Sequence, residues 1–180
     1  MVAPQINTKR LVLRHWRSED FPLFAQMNSD PRVMEYFHKI LTPDESNQLA
    51  QKFQQELEEK KYGLWAVQVK DGASFIGFVG LHYQDFEAPF TPCIEIGWRL
   101  AHPYWGNGYA YEAASKVLIY AMETLKLSEV VAFTLPSNTP SRKLMEKLGM
   151  TYDPKDDFEN TKLPKGHPMR PHVLYRYKHQ

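Results

Sequence analysis

The sequence predicts an α/β protein built on a mixed sheet flanked by helices, and three observations carry that expectation. Strand-like stretches over Leu64–Val69, Phe75–Leu81 and Cys93–Leu100 follow one another in hairpin fashion, which argues for an antiparallel portion. From Cys93–Leu100 the chain passes through a helix pattern at Tyr109–Lys126 to a strand pattern at Glu129–Thr134, the order of a βαβ half. The join before that helix, Tyr104-Trp105-Gly106-Asn107-Gly108-Tyr109-Ala110, places two glycines one residue apart where a helix begins.

Taken in order, Leu11-Val12-Leu13 starts a strand behind the polar Asn7-Thr8-Lys9-Arg10. Ser18 is expected to cap a short helix to about Asn28, with Glu19 and Asp20 in its first turn and Phe21, Leu23, Phe24 and Met27 on its apolar side. Ser29-Asp30-Pro31 breaks the chain, and Val33, Met34, Tyr36 and Phe37 form an aromatic patch suited to the core or to a substrate mouth. Thr42-Pro43-Asp44-Glu45 is a capping box with proline at the first helical position. The helix it opens runs to about Lys60, with Leu49, Phe53 and Leu57 at a spacing of four.

Asp71-Gly72 is a hairpin turn, and Gln84–Pro92 a loop with two prolines. In Cys93–Leu100 the apolar Ile94, Ile96, Trp98 and Leu100 alternate with Cys93, Glu95, Gly97 and Arg99. The helix after the glycine turn carries a wide apolar stripe, Ala110, Ala113, Ala114, Val117, Leu118, Ala121, Met122 and Leu125. Asn138–Leu148 is a second, shorter helix ending at Gly149, and Val173–Tyr177 is a last strand.

Composition narrows the function. With 22 Lys and Arg against 21 Asp and Glu, the formal charge is +1, so no global bias points to nucleic acid. Cys93 is the only cysteine, which rules out an intrachain disulfide and suits a reducing compartment. It reads as a small buried filler rather than a nucleophile. No apolar run approaches the ~20 residues of a membrane span, and the N-terminus lacks a signal-peptide core. A soluble, cytoplasmic protein without membrane or direct nucleic-acid contacts is expected. No metal is expected either: His167 and His172 stand five apart with no cysteine near them, a poor zinc pattern.

Glycine tolerates positive φ and lets a ligand approach the main chain, while a helix N-terminus offers unpaired N–H groups and a positive dipole end. Gly106-Asn107-Gly108 therefore reads either as an anion cradle for a phosphate or as a plain capping turn. No Gly-Lys-Ser/Thr is present, so it is not a P-loop, and no Gly-x-Gly-x-x-Gly opens an early βαβ unit. The His-x-Glu with Pro-Cys-x-x-Cys of nucleotide deaminases is missing as well.

Trp105-Gly106-Asn107-Gly108-Tyr109-Ala110 resembles the acyl-CoA pyrophosphate loop of the GCN5-related N-acetyltransferases, usually Arg/Gln-x-x-Gly-x-Gly/Ala. Tryptophan in the first position matches the branch that acetylates ribosomal-protein N-termini and removes one side-chain donor. Thr8–Arg14 is similar to the N-terminal strand of that branch, Ile94–Leu100 to its pantetheine strand, and Asn138–Met150 to its Asn-x-x-Ser helix with Lys-Leu-Gly-Met. The matches run in family order over most of residues 8–152.

The resemblance implies the acyl-CoA N-acyltransferase fold over a single domain, residues 1–180: a strongly twisted mixed sheet whose two central parallel strands splay to admit acetyl-CoA. It further implies that main-chain N–H groups of Trp105, Gly106, Asn107, Gly108, Tyr109 and Ala110 meet the pyrophosphate. Pantetheine would lie along Trp98, Arg99 and Leu100, with Asn138 and Ser141 near the cofactor.

Such chemistry needs positioning, a polarised carbonyl, a base for the amine and an acid for the leaving sulfur. Ser141 is the candidate acid, since the tyrosine of other branches is absent; its other role is a helix-turn hydrogen bond. Glu95, flanked by apolar residues, is the candidate base or else an ion-pair partner, with His82 and His15 as alternatives. Direct ternary-complex transfer to an amine, either a protein N-terminus or a small molecule, is expected. A non-catalytic acyl-CoA-binding or sensing module is the alternative, and a protein-interaction domain without a CoA site a more distant one. The oligomeric state is not readable from the sequence, and a homodimer is one arrangement open to it.

Overall fold

The computed structural model describes residues 2–178. Its strands are β1 (Ile6–Asn7), β2 (Leu11–Arg14), β3 (Leu64–Val69), β4 (Gly77–Gln84), β5 (Cys93–Leu100), β6 (Glu129–Thr134), β7 (Thr151–Tyr152), β8 (Phe158–Glu159) and β9 (Pro171–Lys178). They lie in the order β1-β2-β3-β4-β5-β6-β9-β7, with β8 pairing β9. Every pairing is antiparallel except β5 with β6, which is parallel and touches at one register pair, Glu95↔Val131. Beyond that pair the two strands diverge. The mixed sheet with splayed central parallel strands is therefore the one expected.

Among the described residues four α-helices flank it: α1 (Asp20–Ser29), α2 (Pro43–Glu59), α3 (Tyr109–Ile119) and α4 (Thr139–Lys147). Strand register assigns them to faces. Side chains alternate across a strand, and cross-strand partners share a face. Phe78 pairs Arg99 and His82 pairs Glu95. Phe78 also packs on Phe53 of α2, Phe24 of α1 and Trp16, at centroid separations of 5.3, 6.0 and 6.5 Å. Glu95, Gly97 and Arg99 thus face the α1–α2 side. On the other face Trp65, cross-strand to Val79, meets Tyr120 at the end of α3 edge-on at 5.9 Å.

The capping box of α2 forms as read: Thr42 Oγ1 accepts from the Glu45 N–H at 3.2 Å, and Glu45 Oε2 accepts from the Thr42 N–H at 2.9 Å. Thr42→Ala is expected to cost about 1 kcal/mol of stability, read as a lower urea midpoint at unchanged m-value, with Thr42→Ser restoring it.

Ser18 does not cap α1. The helix begins at Asp20, whose carboxylate takes the Arg17 N–H at 2.8 Å and both Nη atoms of Arg14, at 2.7 and 2.8 Å. Asp20 is thus spent on a buried ion pair that joins α1 to β2. Leu23 of α1 is exposed, while Phe24 and Met27 are buried. The patch after α1 divides the same way, with Val33 and Met34 in the core and Phe37 largely exposed.

Two boundaries differ from expectation. The strand expected over Phe75–Leu81 is β4, which begins at Gly77 and runs on to Gln84, with Phe75 and Ile76 buried just ahead of it. The helix after the glycine turn leaves α geometry at Tyr120 and widens into a π turn over Tyr120–Thr124, inserting an extra residue that the 3.6-residue pattern does not reveal. Among the described residues no helix is long and apolar enough to cross a membrane.

Candidate active site

The glycine turn sits between the end of β5 and the start of α3, held from both sides. Trp105 Nε1 donates to Leu100 O at 2.7 Å and the Trp105 N–H to His102 O at 3.1 Å. The tryptophan in the loop's first position is therefore an anchor, and neither of its donors is left to give. From the other side Glu112 of α3 accepts from the Thr8 hydroxyl at 2.6 Å, the Arg10 N–H at 2.7 Å and Arg10 Nε at 2.6 Å. Arg10 Nη1 adds a bond to Asn107 O at 3.0 Å, and its guanidinium lies 4.7 Å from the Tyr109 ring centroid. This clamp from the Thr8–Arg10 segment is not legible in the sequence, because its partners lie about a hundred positions apart.

Within the clamp Gly106 and Gly108 both have φ of +75°. A Cβ on Gly106 would meet no protein atom within 4 Å, so that position opens onto free space. Gly108 is the N-cap of α3 and supplies no side-chain cap, which leaves the first turn's N–H groups without a capping partner. Open donors, the positive end of the helix dipole and a bare main chain are the features that an anionic phosphoryl group fits.

A cavity of about 940 Å³ starts at this turn and enters the gap between β5 and β6. Trp98, Arg99, Leu100, Trp105, Gly106, Gly108, Tyr109, Ala110, Asn138, Ser141 and Glu95 all line it. Asn107 does not. Its amide turns back to Trp105 O at 3.0 Å and its carbonyl toward Arg10, so it shapes the turn from behind.

Trp98, Arg99 and Leu100 have β4 on one side and, past Glu95↔Val131, no strand among the described residues on the other. Across the gap, Asn138 caps α4 by accepting from the Ser141 N–H at 3.3 Å and donates to Thr134 Oγ1 at 2.8 Å. Ser141 thus enters the cap through its N–H, not through its hydroxyl.

Glu95 lies where the two strands part. Gln84 Nε2 donates to Glu95 Oε2 at 2.6 Å, and Lys162 Nζ to Gln84 Oε1 at 3.2 Å. Burial pushes the Glu95 carboxyl up to about 7, with the Gln84 hydrogen bond opposing it. His82, beside it on β4, has Nδ1 3.3 Å from Glu56 Oε2. His15 is engaged elsewhere, with Nε2 2.8 Å from Ala3 O.

The far end of the cavity is closed by segments the sequence leaves as loop and tail. Phe86 from the loop before β5 and Phe133 of β6 line it there, backed by Phe90 and Phe158 of β8 in one aromatic cluster, with Phe90 and Phe158 4.7 Å apart. His172 packs at its edge and lines the cavity, while His167 Nδ1 accepts from the Met169 N–H at 3.1 Å. Cys93 faces a separate, smaller cavity, and burial pushes its thiol up to about 11. Among the described residues no group of three or more His, Cys, Asp or Glu is placed to hold a metal ion.

Comparison with known proteins converges on one family. A model described as an acetyltransferase (GNAT) domain matches residues 10–151. "Uncharacterized N-acetyltransferase YnaD" of Bacillus subtilis (strain 168) is 30% identical over 162 residues, covering 89% of each chain. An acetyltransferase (GNAT family) structure from Bacillus anthracis superposes with a TM-score of 0.79 at 27% identity, over 97% of this chain and 98% of that one. The ribosomal-protein-S5-alanine acetyltransferase structure from Vibrio fischeri shares the fold at a TM-score of 0.72 and 18% identity, over 97% and 96% of the two chains.

Proposed function

The chain belongs to the GNAT acetyltransferase family, and we propose that it moves the acetyl group of acetyl-CoA directly onto an amine bound in the cleft, a small molecule or a protein N-terminus. The observation that carries this reading is continuity. One cavity joins a turn with open main-chain donors, a stretch of β5 without a neighbour and a carboxyl held near neutrality.

Acetyl-CoA supplies an already activated thioester. The N–H groups of Gly106, Gly108, Tyr109 and Ala110 would hold its diphosphate, and the unpaired edge at Trp98-Arg99-Leu100 would pair with pantetheine amides as an added strand does. A main-chain N–H of that edge would polarise the acyl carbonyl.

Glu95 accepts the proton that the amine loses as its nitrogen bonds to the acyl carbon. A base held near 7 is half ionised at neutral pH, where proton acceptance is efficient. As the carbon–sulfur bond breaks, the Ser141 hydroxyl donates a hydrogen bond to the departing sulfur and keeps its own proton, and the released thiolate is protonated from solvent. Cys93 is poorly suited to carry the acetyl group, because its thiol is held protonated and lies outside the cleft.

The test is release of free thiol from acetyl-CoA as amines and N-terminal peptides are added, with products resolved by mass. Amine-dependent release with a matching mass gain is expected. Saturable CoA binding without turnover across the panel would replace this reading with a non-catalytic acyl-CoA module. Ser141→Ala is expected to lower kcat about tenfold or more with little change in CoA affinity, the size of one hydrogen bond to a developing charge. An unchanged rate with chemistry limiting would remove that role.

A further inference from the structure

Arg99 is an enclosed cation without a counter-charge. Its Nη1 donates to Asn28 Oδ1 at 2.7 Å, and its guanidinium carbon lies 3.9 Å from the Phe37 ring centroid and 5.4 Å from that of Phe78. Nε is shut off from solvent and has no hydrogen-bond partner among the described residues. Among the described residues no carboxylate lies within ion-pair distance of it; Arg10, Arg14, Arg32 and Arg170 each hold one and Arg176 two, and of Arg17, Arg99 and Arg142, which hold none, Arg99 is the one with a nitrogen shut off from solvent and unbonded. Burial alone pushes the guanidinium down to about 10. An unpaired charge in such a setting costs free energy until an anion supplies the missing acceptors.

The position of Arg99 says which ligand that anion belongs to. Arg99 and Glu95 lie on the same face of β5, the α1–α2 side, roughly 13 Å apart at the Cα atoms for four residues of strand. Between them Gly97 pairs with Gly80, so β4 and β5 put no side chain there, and Leu64 of β3 borders that stretch of floor. Both groups line the one cleft. A molecule lying on this floor would meet a base at one end and, at the other, a guanidinium that holds an amide oxygen but no counter-charge.

Building on the acetyl-transfer reading, we propose that the acceptor is an amine that also carries a carboxylate, with the amine at Glu95 and the carboxylate on Arg99. The guanidinium fork matches a carboxylate geometrically, and a charge-assisted pair inside a cleft discriminates strongly against a neutral isostere. The apolar walls from Phe37, Phe53 and Phe78 would take the carbon chain between the two ends.

The experiment compares acids with their amides: glycine, β-alanine, 4-aminobutyrate, 6-aminohexanoate, L-methionine and L-phenylalanine, each beside its carboxamide, with kcat/KM read by thiol release. For the best-fitting length the acid should exceed the amide by at least about tenfold, chiefly through KM. In Arg99→Met that ratio should collapse to near one, and Arg99→Lys should restore part of it. The ratio is internal, so a general loss of activity in the variant cancels.

A second arm needs no turnover. Binding of the N-acetyl acids and N-acetyl amides is followed by ligand-observed NMR in the presence of CoA. Acid-selective binding that Arg99→Met abolishes supports the anion site, even where no amine is acetylated and the transfer reading itself has failed. Amides bound and used as well as acids at every length, or an Arg99→Met variant that retains the acid preference, would overturn the proposal.

Discussion

Glu95→Gln is expected to lower kcat by about 10²–10⁴-fold at pH 8, the range over which a positioned general base contributes. Glutamine keeps the shape and the neighbour Gln84 but cannot accept a proton. In the wild type, kcat/KM should rise with pH through about 7, where burial holds this carboxyl, and level off above. The variant should lose that limb, retaining only the rise that the acceptor amine's own deprotonation produces. Stability carries an independent signature. Because the folded carboxyl titrates near 7 rather than at its ordinary 4.5, the native state binds a proton more tightly than the unfolded chain between those values. The wild type should therefore lose stability as pH rises from 4.5 to 7, and Glu95→Gln should lack that decline. A variant with wild-type kcat and an unchanged pH profile would remove Glu95 from the chemistry and turn attention to His82, its cross-strand neighbour.

Gly106→Ala is expected to weaken CoA binding by about a hundredfold, measured by calorimetry, while costing about 1–2 kcal/mol of stability for a side chain at φ +75°. The new methyl group would meet no protein atom within 4 Å, so damage beyond that strain has to come from what occupies the open side of the turn. Proline at Gly108 would be a poorer probe. Its ring fixes φ near −65°, and the native +75° would force the whole N-cap to refold. A folded Gly106→Ala protein with wild-type CoA affinity would show that the diphosphate lies elsewhere.

The fold was legible where periodicity reports burial directly. Leu64–Val69, Cys93–Leu100 and Glu129–Thr134 coincide with β3, β5 and β6, and Thr42 caps its helix through the box its spacing announces. What failed was local reasoning about residues with distant partners. Ser18 looks like a cap until Asp20 is seen to answer Arg14 and the Arg17 N–H. The short strands β1, β7 and β8 have two residues each, too few to show an alternation. The π turn after Ile119 inserts one residue without any compositional mark.

The candidate site divides along the same line. Gly106, Gly108 and Glu95 could be picked out because glycine spacing and a carboxyl among apolar neighbours are visible in one stretch of chain. The Arg10–Glu112 clamp and the Lys162–Gln84–Glu95 chain could not, since each joins residues distant in sequence; Arg99 was marked for the pantetheine strand, but the want of a carboxylate beside its side chain was not legible.

The most direct measurement of the central claim is a titration of 15N-labelled protein with CoA, following main-chain amide resonances. The amides of Gly106, Gly108, Tyr109 and Ala110 should shift together and saturate with one affinity, while that of Trp105, already bonded to His102 O, should move less. Saturable CoA binding that leaves the four turn amides unmoved would contradict the account.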